Sequence, residues 1–384
     1  MSVSLFWLVA LALYSAALLL GRRLGLFPIV SQLLLASLGI PALLLGWIEP
    51  HAGLSAAELL APAWLNGLYG LCFALLLGYI LGDVVDLEFN PQSLRIALPS
   101  FLVPLFCGLA CAGWLLPSAG WLSALGIGLL FSITAIPVLY LYLQNIGYPP
   151  AATRRLLHAA ILMDLACWGL FALAQGSAQP ERLLWPLLAA ALPLLLRALR
   201  LRHNLAFSLP FFALMLLFQQ LHLNALLFGI GYLLCLAALR QPLRLPLAQR
   251  HWFWLLNGLA IPLILTFGVL QVNFREAWQG SSWLHLGVLL VLPVASKVAG
   301  NWLGLHWADR QAPAATKWRE SLLLNIRGLT EIVFLNLLLQ QRLIDERVYF
   351  GLLLMSLFST LLPTLLGIRH PQQEHQARRP YGAA

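Results

Sequence analysis

The chain is a succession of apolar runs, each about 17 to 25 residues long, separated by short polar gaps. As helices rising 1.5 Å per residue, runs of that length cross the ~30 Å hydrocarbon core of a bilayer. They fall at 4–21, 26–48, 64–84, 95–117, 121–143, 155–174, 183–199, 204–221, 223–239, 252–272, 283–305, 318–339 and 347–367. Composition agrees: 61% of residues are hydrophobic and 10% charged, where a soluble domain carries roughly 25% charged residues. The expected fold is an all-α polytopic membrane protein of about 13 transmembrane helices.

Charge placement orients these helices. Of 23 Lys and Arg residues, 17 lie in gaps after odd-numbered runs or in the tail, and only four in gaps after even-numbered runs. Basic residues concentrate on the cytoplasmic side, so the N-terminus is expected outside and the C-terminus in the cytoplasm. Met1 to Ser4 carry no basic charge, and Arg22 and Arg23 follow the first run. That order is the reverse of a secretory signal peptide. A single transmembrane domain over 1–368 and a short cytoplasmic tail over 369–384 are expected.

The formal net charge of +9 reads as topology, because no basic stretch carries the interleaved aromatics of a nucleic-acid groove. Cys72, Cys107, Cys111, Cys167 and Cys235 all fall inside apolar runs, with no ligand partner at metal spacing, and read as packing residues. No structural metal and no cofactor is expected. No Gly-rich phosphate loop and no Ser/His/Asp arrangement suggests an enzyme.

Four charges remain inside the runs: Asp164, Lys297, Arg327 and Glu331. Each costs at least ~2.5–3.5 kcal/mol at mid-membrane on insertion scales, so each calls for a reason. Asp164 lies near the middle of its run with no basic residue within a helical turn. A desolvated carboxylate holds a proton tightly, or is neutralised by a dehydrated cation, but hardly by both together. That competition is the minimal chemistry of cation/proton exchange. A structural Asp capped by an interhelical hydrogen bond is the competing explanation. Lys297 pairs with Asp164 or serves as a counter-charge to a helix dipole. Arg327 and Glu331, four residues apart, share a helix face as an ion pair that steadies the helix.

Two runs look broken. Ser132, Thr134 and Pro137 interrupt the fifth, and Asn325, Gly328 and Thr330 interrupt the twelfth. Pro removes a helical donor and Gly loosens the backbone. An unwound segment at membrane depth must be buried or line a cavity, where its carbonyls and half-helix ends can hold an ion. A simple Pro kink is the alternative. The breaks are seven runs apart, an odd number, so the two copies would run oppositely through the membrane as inverted repeats with crossing broken helices. Asp164 and Lys297 lie on the runs adjacent to them. His158, six residues before Asp164, is an interfacial histidine or a pH sensor.

Three stretches carry a family resemblance: FSITAIPVLYLYLQNIG, AAILMDLACWGLFAL and RESLLLNIRGLTEIVFLNLLLQQRLI, with ASKVAGNWLG beside them. The chain resembles the sodium/proton exchanger superfamily, specifically its cation:proton antiporter-2 branch, the third stretch being the most specific match. The resemblance implies a thirteen-helix antiporter fold and a homodimer. Core helices at about 95–174 and 283–367 would move past a dimer scaffold formed by the remaining helices. It also implies Asp164 as the ion- and proton-binding acid, Thr134 and Ser132 nearby, and Lys297, Arg327 and Glu331 as supporting charges. One departure stands out: the family usually has Asp or Asn immediately before the essential acid, and this chain has Met163. A thioether carries no proton and is a poor ligand for a hard cation.

The expected function is exchange of Na⁺ or K⁺ for H⁺ across a bacterial inner membrane. A transporter of another small ion or solute on the same scaffold, favoured by Met163, and a non-transporting membrane subunit are the alternatives.

Overall fold

The computed structural model describes residues 2–23, 28–82, 90–115, 120–177, 181–201, 203–221, 225–241, 243, 249–272 and 283–366. The expected tail over 369–384, and the acids Asp83, Asp86 and Glu88, lie outside them. The described residues form helices and their connections, with no strand among them.

In chain order the helices begin with α1 (Val3–Arg23), α2 (Pro28–Ala52), α3 (Ala56–Leu60), α4 (Ala63–Gly82) and α5 (Pro91–Leu115). Next come α6 (Trp121–Ser132), α7 (Ile136–Asn145), α8 (Pro150–Ser177), α9 (Glu181–Ala190), α10 (Leu192–Ala198), α11 (Asn204–Gln220) and α12 (Ala225–Ala238). Helix α13 runs through Gln249–Leu255, a π-helical Leu256–Ala260 and Ile261–Leu270. The last four are α14 (Trp283–Ala308), α15 (Ala314–Leu323), α16 (Leu329–Gln340) and α17 (Glu346–Leu365). Among the described residues, five helices are long and apolar enough to cross a membrane, namely α1, α2, α5, α8 and α14.

Several boundaries differ from the sequence expectation for identifiable reasons. Helix α2 continues past residue 48 because π-helical turns over Leu44–Ala52 accommodate Pro50, and it stops where Gly53 adopts a φ of 59°. The following α3 is set by a capping box, Ser55 Oγ accepting from the Glu58 N–H and Glu58 returning to the Ser55 N–H. The run at 183–199 is two helices, because Ala191 forms a turn and Pro193 opens α10.

The burial pattern is that of a lipid-solvated body. Leu8, Trp185 and Trp283 are 64%, 63% and 75% exposed, whereas Lys297, Arg327 and Glu331 are 0% exposed. Helices α5 and α14 pack closely along one another, and α6 lies against α5. Small residues allow that approach: a Cβ at Gly300 would lie 2.6 Å from Pro99 O, and one at Gly304 would lie 2.5 Å from Ile96 O. This packing brings Lys297 on α14 to the end of α6.

Candidate functional site

The site is organised by where backbone hydrogen bonds go when α6 stops. In a continuous helix the N–H groups of Thr134 and Ala135 would donate to the carbonyls of Leu130 and Phe131. Both are diverted. Thr134 N–H donates to Asp164 Oδ1 at 3.3 Å, and Ala135 N–H donates to Ile326 O at 3.0 Å. The released carbonyls are taken by a buried cation: Arg327 Nη1 donates to Leu130 O and Nη2 to Phe131 O, both at 2.7 Å. The next carbonyl, Ser132 O, accepts from the Lys297 ammonium. Two basic side chains therefore complete the C-terminus of α6, where the helix dipole also favours positive charge.

Pro137 stands in the first turn of α7, where a missing N–H is tolerated. It starts a second half-helix instead of kinking one continuous helix. The second break, between α15 and α16, crosses the first. Thr134 Oγ1 donates to Leu324 O at 3.3 Å, and the Ala135–Ile326 bond joins the two unwound backbones directly. Gly328 permits the close pass, since a Cβ there would sit 3.2 Å from Val138 Cγ2. Thr360 Oγ1 on α17 closes the crossing from another side by donating to Arg327 O at 2.6 Å.

Asp164 on α8 meets this crossing and is 2% exposed. The ammonium of Lys297 also donates to Ser100 O on α5 at 3.2 Å and lies 3.4 Å from Met163 Sδ. Met163 thus occupies a position beside the lysine, one residue from the acid. Ser132 sits at the crossing, but its hydroxyl is directed at backbone carbonyls, Phe101 O at 2.9 Å and Gly128 O at 3.1 Å. Arg327 and Glu331 form the anticipated ion pair at 2.8 Å, with the added role of capping α6. The crossing therefore gathers Ser132, Thr134, Met163, Asp164, Lys297, Asn325, Arg327, Gly328 and Glu331.

Sequence reasoning missed a second buried cluster nearer one end. Arg155, on the helix that carries Asp164, pairs with Glu320 on α15 at 2.8 Å, and Tyr148 OH donates to the same carboxylate at 3.0 Å. Nothing in the spacing of Arg155 and Glu320 links two residues so distant in sequence. The clamp fixes α8 to α15 one side of the crossing. Next to it, His158 lines a cavity of 840 Å³ with Arg154, Arg155, Asn90 and Gln92. Beyond the far end of α16, two smaller cavities of 460 and 370 Å³ share Gln271 and Glu346, with Asp345 in one and Glu49 in the other.

No protein-family model matches the chain. Among curated proteins it is similar to cation/H⁺ antiporter 15 of Arabidopsis thaliana, 24% identical over 316 residues, covering 76% of this chain and 38% of that protein. It is also similar to cation/H⁺ antiporter 20 of Arabidopsis thaliana, 27% identical over 117 residues, covering 30% and 14% respectively. The chain thus spans well under half the length of these relatives. Among solved structures, a sodium proton antiporter from Methanocaldococcus jannaschii matches with a TM-score of 0.58 and 16% identity, each chain being covered to 95%. The chain is an integral membrane protein with the fold of that transporter. The chain is thus similar in sequence to proteins named as cation/H⁺ antiporters and similar in fold to the archaeal structure.

Proposed function

We propose that the chain exchanges a monovalent cation, Na⁺ or K⁺, for H⁺ by alternating access, with Asp164 binding proton and cation in competition. One observation carries this reading: a carboxylate 2% exposed stands at the crossing of two broken helices and accepts the diverted N–H of Thr134. An uncompensated charge is costly at such a depth, so a proton or a cation can each serve as its partner. Half-helix ends and unwound backbone at such a crossing are where transporters hold ions. The relatives named as cation/H⁺ antiporters support the same chemistry.

The finer architecture belongs to this proposal. About thirteen spans form inverted repeats, with the N-terminus outside and the C-terminus cytoplasmic in a bacterial inner membrane. Core helices α5–α8 and α14–α17 move against the remaining helices, which form the contact of a homodimer. Thr134 orients Asp164, while Lys297, Arg327 and Glu331 balance charge around it. The test is proton flux in everted vesicles, read with a pH-sensitive dye as Li⁺, Na⁺, K⁺ or Rb⁺ is added across a range of pH. Wild type dissipates the gradient; Asp164→Asn inserts normally and does not. Wild-type exchange by Asp164→Asn overturns the mechanism.

A second reading, transport of a different small ion or solute, draws on Met163. Its sulfur lies 3.4 Å from the Lys297 ammonium, and it leaves the site without a second carboxylate or amide beside Asp164. The same assay separates the two, because this reading expects no response to any of the four cations.

A further inference from the structure

Asn325 is fully buried at the second helix break. Among the described residues, neither its Oδ1 nor its Nδ2 has a hydrogen-bond partner. A buried amide with both ends unsatisfied is costly and rare in native proteins. Its backbone is fixed on either side. Leu324 O accepts from the Thr134 hydroxyl, and Ile326 O accepts from the Ala135 N–H. Residue 325 is therefore held between two contacts to the segment whose Thr134 N–H reaches Asp164. The turn before it is also pinned, by Asn301 Nδ2 donating to Ser321 O at 2.9 Å and by Leu324 N–H donating to Glu320 O at 2.9 Å. The fold thus fixes the backbone on either side of residue 325 and leaves the amide without a hydrogen-bond partner among the described residues.

We propose that Asn325 supplies a neutral oxygen ligand to the transported cation and acts with Asp164 as a specificity-determining residue. The chemistry fits what the site otherwise lacks. Hard cations prefer oxygen ligands, and one carboxylate replaces only part of a hydration shell. Met163 cannot contribute a hard donor, whereas the amide of Asn325 offers one without adding charge. This inference rests on the antiport reading and narrows it to a site of one carboxylate, from α8, and one amide, from the second helix break.

The test uses the full chain in proteoliposomes, with Na⁺ and K⁺ titrated against proton flux, and a thermal melt of each purified variant. Removing a ligand to a charged ion in Asn325→Ala raises the apparent KM by about tenfold or more with little change in maximal rate. The variant melts at or above wild type, because an unpartnered amide has been removed from the interior. Asn325→Asp, which keeps an oxygen in place, retains cation response and changes the Na⁺ to K⁺ preference. Asn325→Ala with a KM within about threefold of wild type, or an Asn325→Ala that fails to fold, assigns the amide a structural role and overturns the proposal. Wild type inert to both cations removes the antiport reading together with this inference; active wild type with an unaffected Asn325→Ala removes this inference alone.

Discussion

Arg327 is the side chain whose removal tests most sharply how the crossing is held together. Its guanidinium meets Glu331 at 2.8 Å and the carbonyls of Leu130 and Phe131 at 2.7 Å each. Arg327→Met strands Glu331 in the interior, which costs about 3–5 kcal/mol for a broken buried pair. It also leaves two carbonyls without their charged donor, at about 1.5–3 kcal/mol each. The double variant Arg327→Met/Glu331→Met removes the stranded carboxylate and keeps the orphaned carbonyls. We therefore expect the single variant to lose about 6 kcal/mol or more, and the double to recover about 3–5 of that while remaining about 3 below wild type. Unfolding of the purified protein by SDS titration in mixed micelles measures both. A double variant as stable as wild type would falsify the capping of α6, leaving Arg327 as merely the partner of Glu331.

Two further outcomes follow from the same geometry. Gly304→Ala places a Cβ 2.5 Å from Ile96 O, so α5 and α14 must separate by several tenths of an ångström; a loss of about 1–3 kcal/mol in the same unfolding titration is expected, and an unchanged midpoint contradicts the close packing. Met163→Asp and Met163→Asn add respectively a carboxylate and an amide beside Lys297, so proteoliposome flux is expected to diverge between them in ion preference and in dependence on membrane potential. Identical behaviour of the two would show that position 163 does not touch the transported charge.

Much of this architecture is written in local patterns. Apolar run length locates the helices, and the isolated charges at 164, 297, 327 and 331 mark the interior, because each is anomalous against its own neighbours. The four-residue spacing of Arg327 and Glu331 even predicts their contact. What the sequence does not carry is the destination of backbone groups. That Thr134 and Ala135 donate to Asp164 and Ile326, and that Arg327 and Lys297 collect the carbonyls left behind, depends on which helices cross. Ser132 illustrates the point: its hydroxyl suggests an ion ligand, yet it turns to Phe101 O and Gly128 O, while its carbonyl meets Lys297. The Arg155–Glu320 clamp is likewise absent from any local pattern, since the two residues meet only when α8 and α15 are brought side by side.

On the proposed reading, the charge balance at the crossing gives a physical reason for exchange. Asp164 and Glu331 bring two negative charges, Lys297 and Arg327 two positive ones, and all four are 0–2% exposed. In a low-dielectric interior an uncompensated charge is expensive. On that reading the four charges balance when Asp164 is ionised, and one bound proton or one bound cation adds the same single positive charge, so the two together cost more than either alone. Return of a proton therefore expels the cation. Arg327 and Glu331 are locked together at 2.8 Å, so the adjustable half of the quartet is Asp164 with Lys297. Met163 adds no charge of its own beside them. On the proposed reading each cycle therefore moves one cation against one proton, and a transport rate independent of membrane potential in proteoliposomes is the outcome expected. A rate that rises steeply with potential would require a further titrating group and overturn the one-for-one exchange.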